Sequence, residues 1–149
     1  MLPVEQRDTR GAVRVGMVWG GVGGIVGFLT SLLGSLAGIV AAGFVGFSCG
    51  RRAAEADGDR RAGALSGLVG GALAAPVFVV GASAGALVSA RGIGSVQIAA
   101  TLSEVVGIQV TPEEAWRFFL LSLVLAAVFQ AVILVLASTA AGAWATRKE

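Results

Sequence analysis

The stretch VGMVWGGVGGIVGFLTSLLGSLAGIVAAGFVGFSC, Val15–Cys49, decides the fold. It carries no charged residue over about 35 positions, and about 18 apolar residues are enough to cross a bilayer. As one helix it would be about 52 Å long, against a hydrocarbon core of about 30 Å. One crossing is far too long, and two short ones fit. The flanking charges agree. Arg7, Arg10 and Arg14 precede the run, and Arg51, Arg52, Arg60 and Arg61 follow it. Basic flanks belong on the cytoplasmic side, so both can lie there only if the run crosses twice. The turn then falls in TSLLGS, Thr30–Ser35, the most polar point of the run.

Two further uncharged runs, Ala62–Ala90 and Phe118–Thr146, are each long enough to cross again. The composition agrees: 56% of residues are hydrophobic and 13% charged, with a mean hydropathy of +0.85, where soluble domains average about 25% charged. The expectation is an all-α polytopic membrane protein, one transmembrane domain over 1–149. Its four helices are placed at about 13–30, 33–50, 62–90 and 112–145, with an inner loop 51–61 and an outer segment 91–111. Both termini are expected on the cytoplasmic face of a cell membrane. Only Arg91 and Arg117 then lie outside, where their long side chains reach the interface. Trp116 and Trp144 bracket the last helix. Their spacing corresponds to about 42 Å of helix, close to the roughly 40–45 Å between headgroup layers that tryptophan favours.

The glycines need a separate explanation. Gly21-x-Gly23-x-x-x-Gly27 has the look of a dinucleotide-binding turn. That turn needs a strand before it and an acidic residue about 20 positions on. Here Arg14–Trp19 makes a poor strand, and the acidic position falls in Ala41–Phe44. Close helix packing accounts for the pattern better, because in lipid it is small residues that let backbones approach. A spacing of four keeps such residues on one face. Gly16, Gly20 and Gly24 follow it, as do Gly34, Gly38, Ala42, Gly46 and Gly50. Gly63, Gly67, Gly71 and Ala75 form a third set, followed by Gly81, Gly85 and Ser89. These faces are expected to pack helices together.

The last helix starts with a clear signal. Thr111 is a candidate N-cap, Pro112 takes the first helical position, and Glu114 completes a capping box. Its Leu-, Val- and Phe-rich body should face lipid over much of its surface. Before it, SVQIAATLSEVV places Ile98, Leu102, Val105 and Val106 on one helical face, with Gln97, Thr101 and Glu104 towards the other. This reads as a short amphipathic helix at the outer surface.

Little chemistry is available to such a chain. It has no histidine and one cysteine, Cys49, which leaves no metal-ligand cluster and no nucleophile–histidine pair. No carboxylate lies in a spanning run, which counts against proton-coupled transport. We therefore expect no enzyme, no cofactor and no metal. The arginines sit at membrane edges and do not indicate nucleic-acid binding. Two residues stand out within the spans. Gln130 is the most polar side chain of the last helix and should face inward, with Ala126, Ala127 and Ala131 permitting close approach. Pro76 should kink the third helix.

The segment GSLAGIVAAGFVGFSCGRRAAEADGDRRAGALSGLVGGALAAP, Gly34–Pro76, resembles a family of small, uncharacterised membrane proteins of halophilic archaea. That family pairs two glycine-rich helices around a short loop of arginines and acids. The resemblance implies a membrane hairpin and transfers no functional residues. The leading expectation is an accessory protein of the lipid bilayer that packs with itself, as a homo-oligomer, or with another membrane protein. The alternative is a conduit or transporter for an uncharged or weakly polar solute.

Overall fold

The computed structural model describes residues 10–57 and 63–145, and every element among them is an α-helix: α1 Arg10–Ser31, α2 Ser35–Asp57, α3 Gly63–Ile93, α4 Ser95–Val106 and α5 Pro112–Ala145. The flanking residues Arg7, Arg60, Arg61, Arg147 and Lys148 lie outside the described residues.

Three helices, α1, α3 and α5, are long and apolar enough to cross a membrane. Four were expected; α2 is not among those that length and apolarity single out. Its apolar part, Ser35–Gly50, is short, and Arg51, Arg52, Glu55 and Asp57 occupy its last turns. The expected loop from Arg51 is therefore helical as far as Asp57. Ala53 and Ala54 are buried there, and Arg51 bonds Glu55 one turn on, Nε to Oε1 at 2.9 Å. Helix α3 runs on to Ile93, and α4 begins two residues later at Ser95. On α4 it is Ala99, buried, with Ile98 and Leu102, half-buried, that turns inward. Val105 and Val106, further along the same face, stay exposed. A glycine ends the helix: Gly107 takes φ 75° and its N–H bonds the Ser103 carbonyl.

Contacts fix the helix directions. Gly16 lies against Gly70, Gly20 against Ala74, and Gly85 against Phe28, so α1 and α3 run parallel. Gly46 meets Leu134 and Gly50 meets Ser138, so α2 and α5 run parallel. Gly67 and Gly71 meet Ser138, and Gly142 meets Gly63, so α3 and α5 are antiparallel. Helices α2 and α3 touch all three other long helices, while α1 and α5 stand on opposite sides and do not touch. The ends of α1 and α5 that carry Arg10 and Trp144 thus gather with Arg51, Arg52 and the start of α3. We call this the arginine end, and the other the α4 end.

The close approaches are backbone to backbone. A Cβ on Gly16 would stand 2.9 Å from the Gly70 carbonyl oxygen, and one on Gly20 would stand 3.4 Å from the Ala74 Cα. On Gly24 it would meet the Val77 carbonyl at 3.2 Å. On Gly46, Gly50 and Gly67 it would overlap the carbonyls of Leu134, Ser138 and Ser138. Helix α3 carries two such stripes. Gly63, Gly67 and Gly71 face α5, while Ala74, Gly81 and Gly85 face α1 and Gly70 stands between α1 and α2, nearest Ala53 and Cys49. Gly34 does not belong to the ridge expected of it. It sits in the α1–α2 turn with φ 115° and nothing within 4 Å, so its role is conformational. Around the packed glycines lie Phe78, Leu134, Val45 and Cys49, all buried. Outside them the surface is apolar. Phe44, Leu121, Val124, Leu125 and Leu136 are each more than 60% exposed, which suits lipid as the surrounding solvent and no aqueous one.

The same substitution should thus act with opposite signs at two glycines. Gly50→Ala, forced against the Ser138 backbone, should destabilise by about 1–3 kcal/mol. Gly21→Ala, with open space around it, should be neutral or stabilising by up to about 1 kcal/mol. Thermal unfolding in a non-ionic detergent checks both.

Candidate functional site

Between the α4-end halves of α3 and α5 lies a cleft of about 290 Å³. Its origin is a difference in helix length. Helix α3, 31 residues, and α5, 34 residues, continue past the turn that joins the shorter α1 and α2. Phe28 of α1 lies beside Gly85 and Gly38 of α2 beside Gln130, yet α3 goes on to Ile93 and α5 reaches back to Pro112. Beyond the hairpin no fourth wall fills the space. Small residues line it on both sides: Ala82, Ser83, Ala86 and Ser89 on α3, and Ser122, Ala126 and Ala127 on α5. Ser31, Gly34 and Ser35 of the turn form one edge, and Ile98 of α4 and Phe119 of α5 lie near the mouth.

The α5 wall is rigidly started. Thr111 and Glu114 form the expected capping box: the Thr111 N–H donates to Glu114 Oε2 at 2.9 Å, and the Glu114 N–H donates to Thr111 Oγ1 at 3.3 Å. On the other side of the cleft mouth α4 is tied to the α5 approach, since the Val110 N–H donates to Ser103 Oγ at 2.9 Å.

Gln130 stands at the closed end of the cleft. It is 5% exposed, and its Nε2 lies 2.7 Å from where a Cβ on Gly38 would be, with Ser31 Oγ 3.6 Å from the same point. Glycine at position 38 is what gives the amide room. Its amide makes no hydrogen bond among the described residues and opens onto the cleft. The wall residues expected to let helices close on Gln130 do otherwise. Ala126 and Ala127 face the cleft, and only Ala131 packs against the core.

Past Gln130, towards the arginine end, the bundle is shut. Leu134 and Ser138 are fully buried. Ser138 Oγ donates to the Gly67 carbonyl at 2.6 Å, holding α5 to α3 where Gly50 of α2 also meets the Ser138 backbone. The cleft is a dead end 130 residues into the chain and about half-way along α5.

Of the residues singled out in the sequence, Gly16, Gly20 and Gly24 join α1 to α3. Gly38, Gly46 and Gly50 join α2 to α5, and Gly63, Gly67 and Gly71 join α3 to α5. Pro76 is exposed on the outer face of α3, which stays helical through it; it lines neither the cleft nor the core. The sequence reading overlooked Ser138, Gly70, Gly142 and the cleft serines. Ser122, Ala126 and Gln130 do share a spacing of four, a signal of one polar, small-residue face. Comparison with protein-family models, curated proteins and solved structures finds no match.

Volume should discriminate the cleft from the closed half. Ala126→Leu, projecting into the cleft, should leave stability unchanged or raise it by about 0.5–2 kcal/mol. Ala141→Leu, at a site 1% exposed, should cost about 1–3 kcal/mol. Detergent thermal unfolding of the two variants measures the contrast.

Proposed function

We propose that this chain is a four-crossing membrane protein that passes a small, uncharged, hydrogen-bonding solute, which enters the cleft from the non-cytoplasmic side and leaves when α3 and α5 part at its closed end. The observation that carries the reading is Gln130. A primary amide in an apolar layer costs several kcal/mol unless it is hydrogen-bonded, and this one faces open volume among serine hydroxyls. A solute with a hydroxyl or amide would meet both donors and acceptors there. No ionisable side chain lines the cleft, which favours a neutral solute.

The membrane placement supports the direction. Helix α2 runs antiparallel to α1 and α3 through the middle of the bundle, so it shares their span although it is less apolar. Its arginines then fall at the cytoplasmic face with the start of α1 and the end of α5, and the cleft opens opposite. Beside the polar Thr30, Ser31 and Ser35, the α1–α2 connection also presents Leu33, 81% exposed, and Leu36 at the start of α2, 78% exposed. Its backbone is bonded internally, Leu33 N–H to the Thr30 carbonyl at 3.0 Å, which suits a turn at the apolar edge of a bilayer. Release on the cytoplasmic side would need α3 and α5 to part at the Ser138–Gly67 bond. The leading expectation from the sequence, an accessory protein that packs with itself or a partner, would need small-residue faces left over on the outside of the bundle. Most of those glycines meet neighbours within this chain, so we rank it below solute binding.

Two experiments test the reading. In a Cys49→Ser background, cysteines at Arg14 and Ala56 should react from the cytoplasmic side and one at Gln97 from the other. Arg14 and Ala56 on opposite sides would mean that α2 does not cross. In proteoliposomes, osmotic-shift assays with glycerol and urea should show permeability above that of protein-free vesicles. Gln130→Leu should lower it by roughly tenfold, the loss of one or two hydrogen bonds, while stability changes by no more than about 1 kcal/mol. Permeability equal to that of empty vesicles for both probes, or unaffected by Gln130→Leu, would contradict the proposal.

A further inference from the structure

At the arginine end, α1 and α2 enclose a second groove, of about 810 Å³, lined by Trp19, Phe44, Phe47, Ser48, Arg51 and Arg52, with Glu55 at its rim. Its two ends differ in chemistry. Phe44 is 69% exposed and Phe47 42%, and both continue the apolar surface that faces lipid. Phe47 is held upright by Trp144, ring centroids 5.9 Å apart. One to two turns further along α2 come the two arginines. The Arg52 guanidinium lies over the Trp19 ring, 5.4 Å from its centroid. Stacking on a ring face fixes the guanidinium while its N–H groups, which point outward in its plane, stay able to donate. Arg51 is bonded to Glu55 through Nε at 2.9 Å, which leaves its terminal amino groups outside that bond. The carboxylate opposes an anion, but it is already paired, and among the described residues that line the groove two guanidiniums stand with one carboxylate.

We infer that this groove binds one anionic phospholipid. The headgroup phosphate would sit between Arg51 and Arg52, and an acyl chain would lie over Phe44 and Phe47. Guanidinium pairs bind phosphate through forked N–H donors, and basic pockets between helices on the cytoplasmic side suit acidic lipids. The apolar wall selects a lipid over free phosphate, which would have no use for two exposed phenylalanines. A second copy of the chain fits poorly, because a symmetric contact through this groove would set arginines against arginines. The inference needs only that the chain sits in a membrane; it does not depend on the cleft or on what enters it.

The test is native mass spectrometry of the full chain from non-ionic detergent, supplied with phosphatidylglycerol or phosphatidylcholine, with thermal stability measured in parallel. One phosphatidylglycerol should be retained in preference, and it should raise the unfolding temperature where phosphatidylcholine does not. The double variant Arg51→Gln, Arg52→Gln should lose that preference by at least about tenfold, the scale of two charge-assisted hydrogen bonds. Trp19→Leu should weaken it in the same sense. The control Arg91→Gln, Arg117→Gln removes equal charge at the α4 end and should retain it. Millimolar inorganic phosphate should not compete. No preference between lipids, equal losses in the two double variants, competition by phosphate, or dimers that exclude the lipid would each overturn the assignment.

Discussion

Everything else in the bundle depends on the contact of Ser138 with α2 and α3. Its hydroxyl donates to the Gly67 carbonyl at 2.6 Å, and its backbone lies where side chains on Gly50 and Gly67 would otherwise stand. In water, burial of large apolar side chains would drive such helices together. In lipid that drive is largely absent, and association rests on close backbone approach and interhelical hydrogen bonds. Three helices meet around one serine because Gly50, Gly67 and Gly71 leave room for it. The same logic runs along α1 and α3, where Gly16, Gly20, Gly24 and Gly85 bring backbone against backbone.

That contact lies towards one end, and the asymmetry shapes the molecule. Helices α3 and α5 are pinned near Gly63–Gly71 and Val135–Gly142. Towards the α4 end they outrun the α1–α2 hairpin, and their facing small residues have nothing to close upon. Small side chains thus have opposite consequences in the two halves: with a third helix behind them they produce contact, and without one they produce volume. Gln130 stands at the boundary, its amide given space by Gly38 and left facing the cleft.

Much of this was legible in the sequence. Charge-free runs gave the long helices, and Thr111, Pro112 and Glu114 announced the start of α5 to the residue. The spacing of four placed Gly16, Gly20, Gly46 and Gly67 on shared helix faces, since a period near 3.6 does so, and each of them stands against a neighbouring helix. It could not say which neighbour each stripe meets, and so it missed that α3 carries two stripes for two partners. Gly34 fits the spacing by chance; its φ of 115° belongs to a turn. The length of α2 was misjudged because Arg51–Asp57 looks like a polar loop, whereas buried Ala53 and Ala54 carry the helix onward. The cleft was the hardest to foresee. Ala126 and Ala127 have the composition of a tight interface, and only the relative heights of four helices reveal that they face empty space.

The account is tested most directly by a cysteine scan of the inward stripe of α5, at Phe119, Ser122, Ala126, Gln130, Leu134 and Ser138, in a Cys49→Ser background. The readout is the rate of reaction with a membrane-impermeant thiol reagent applied from the α4 side. The account predicts rapid labelling from Phe119 through Ala126, slower labelling at Gln130, and protection at Leu134 and Ser138. Protection along the whole stripe would contradict an open cleft, and labelling that continues through Ser138 would contradict the closed contact on which the fold depends.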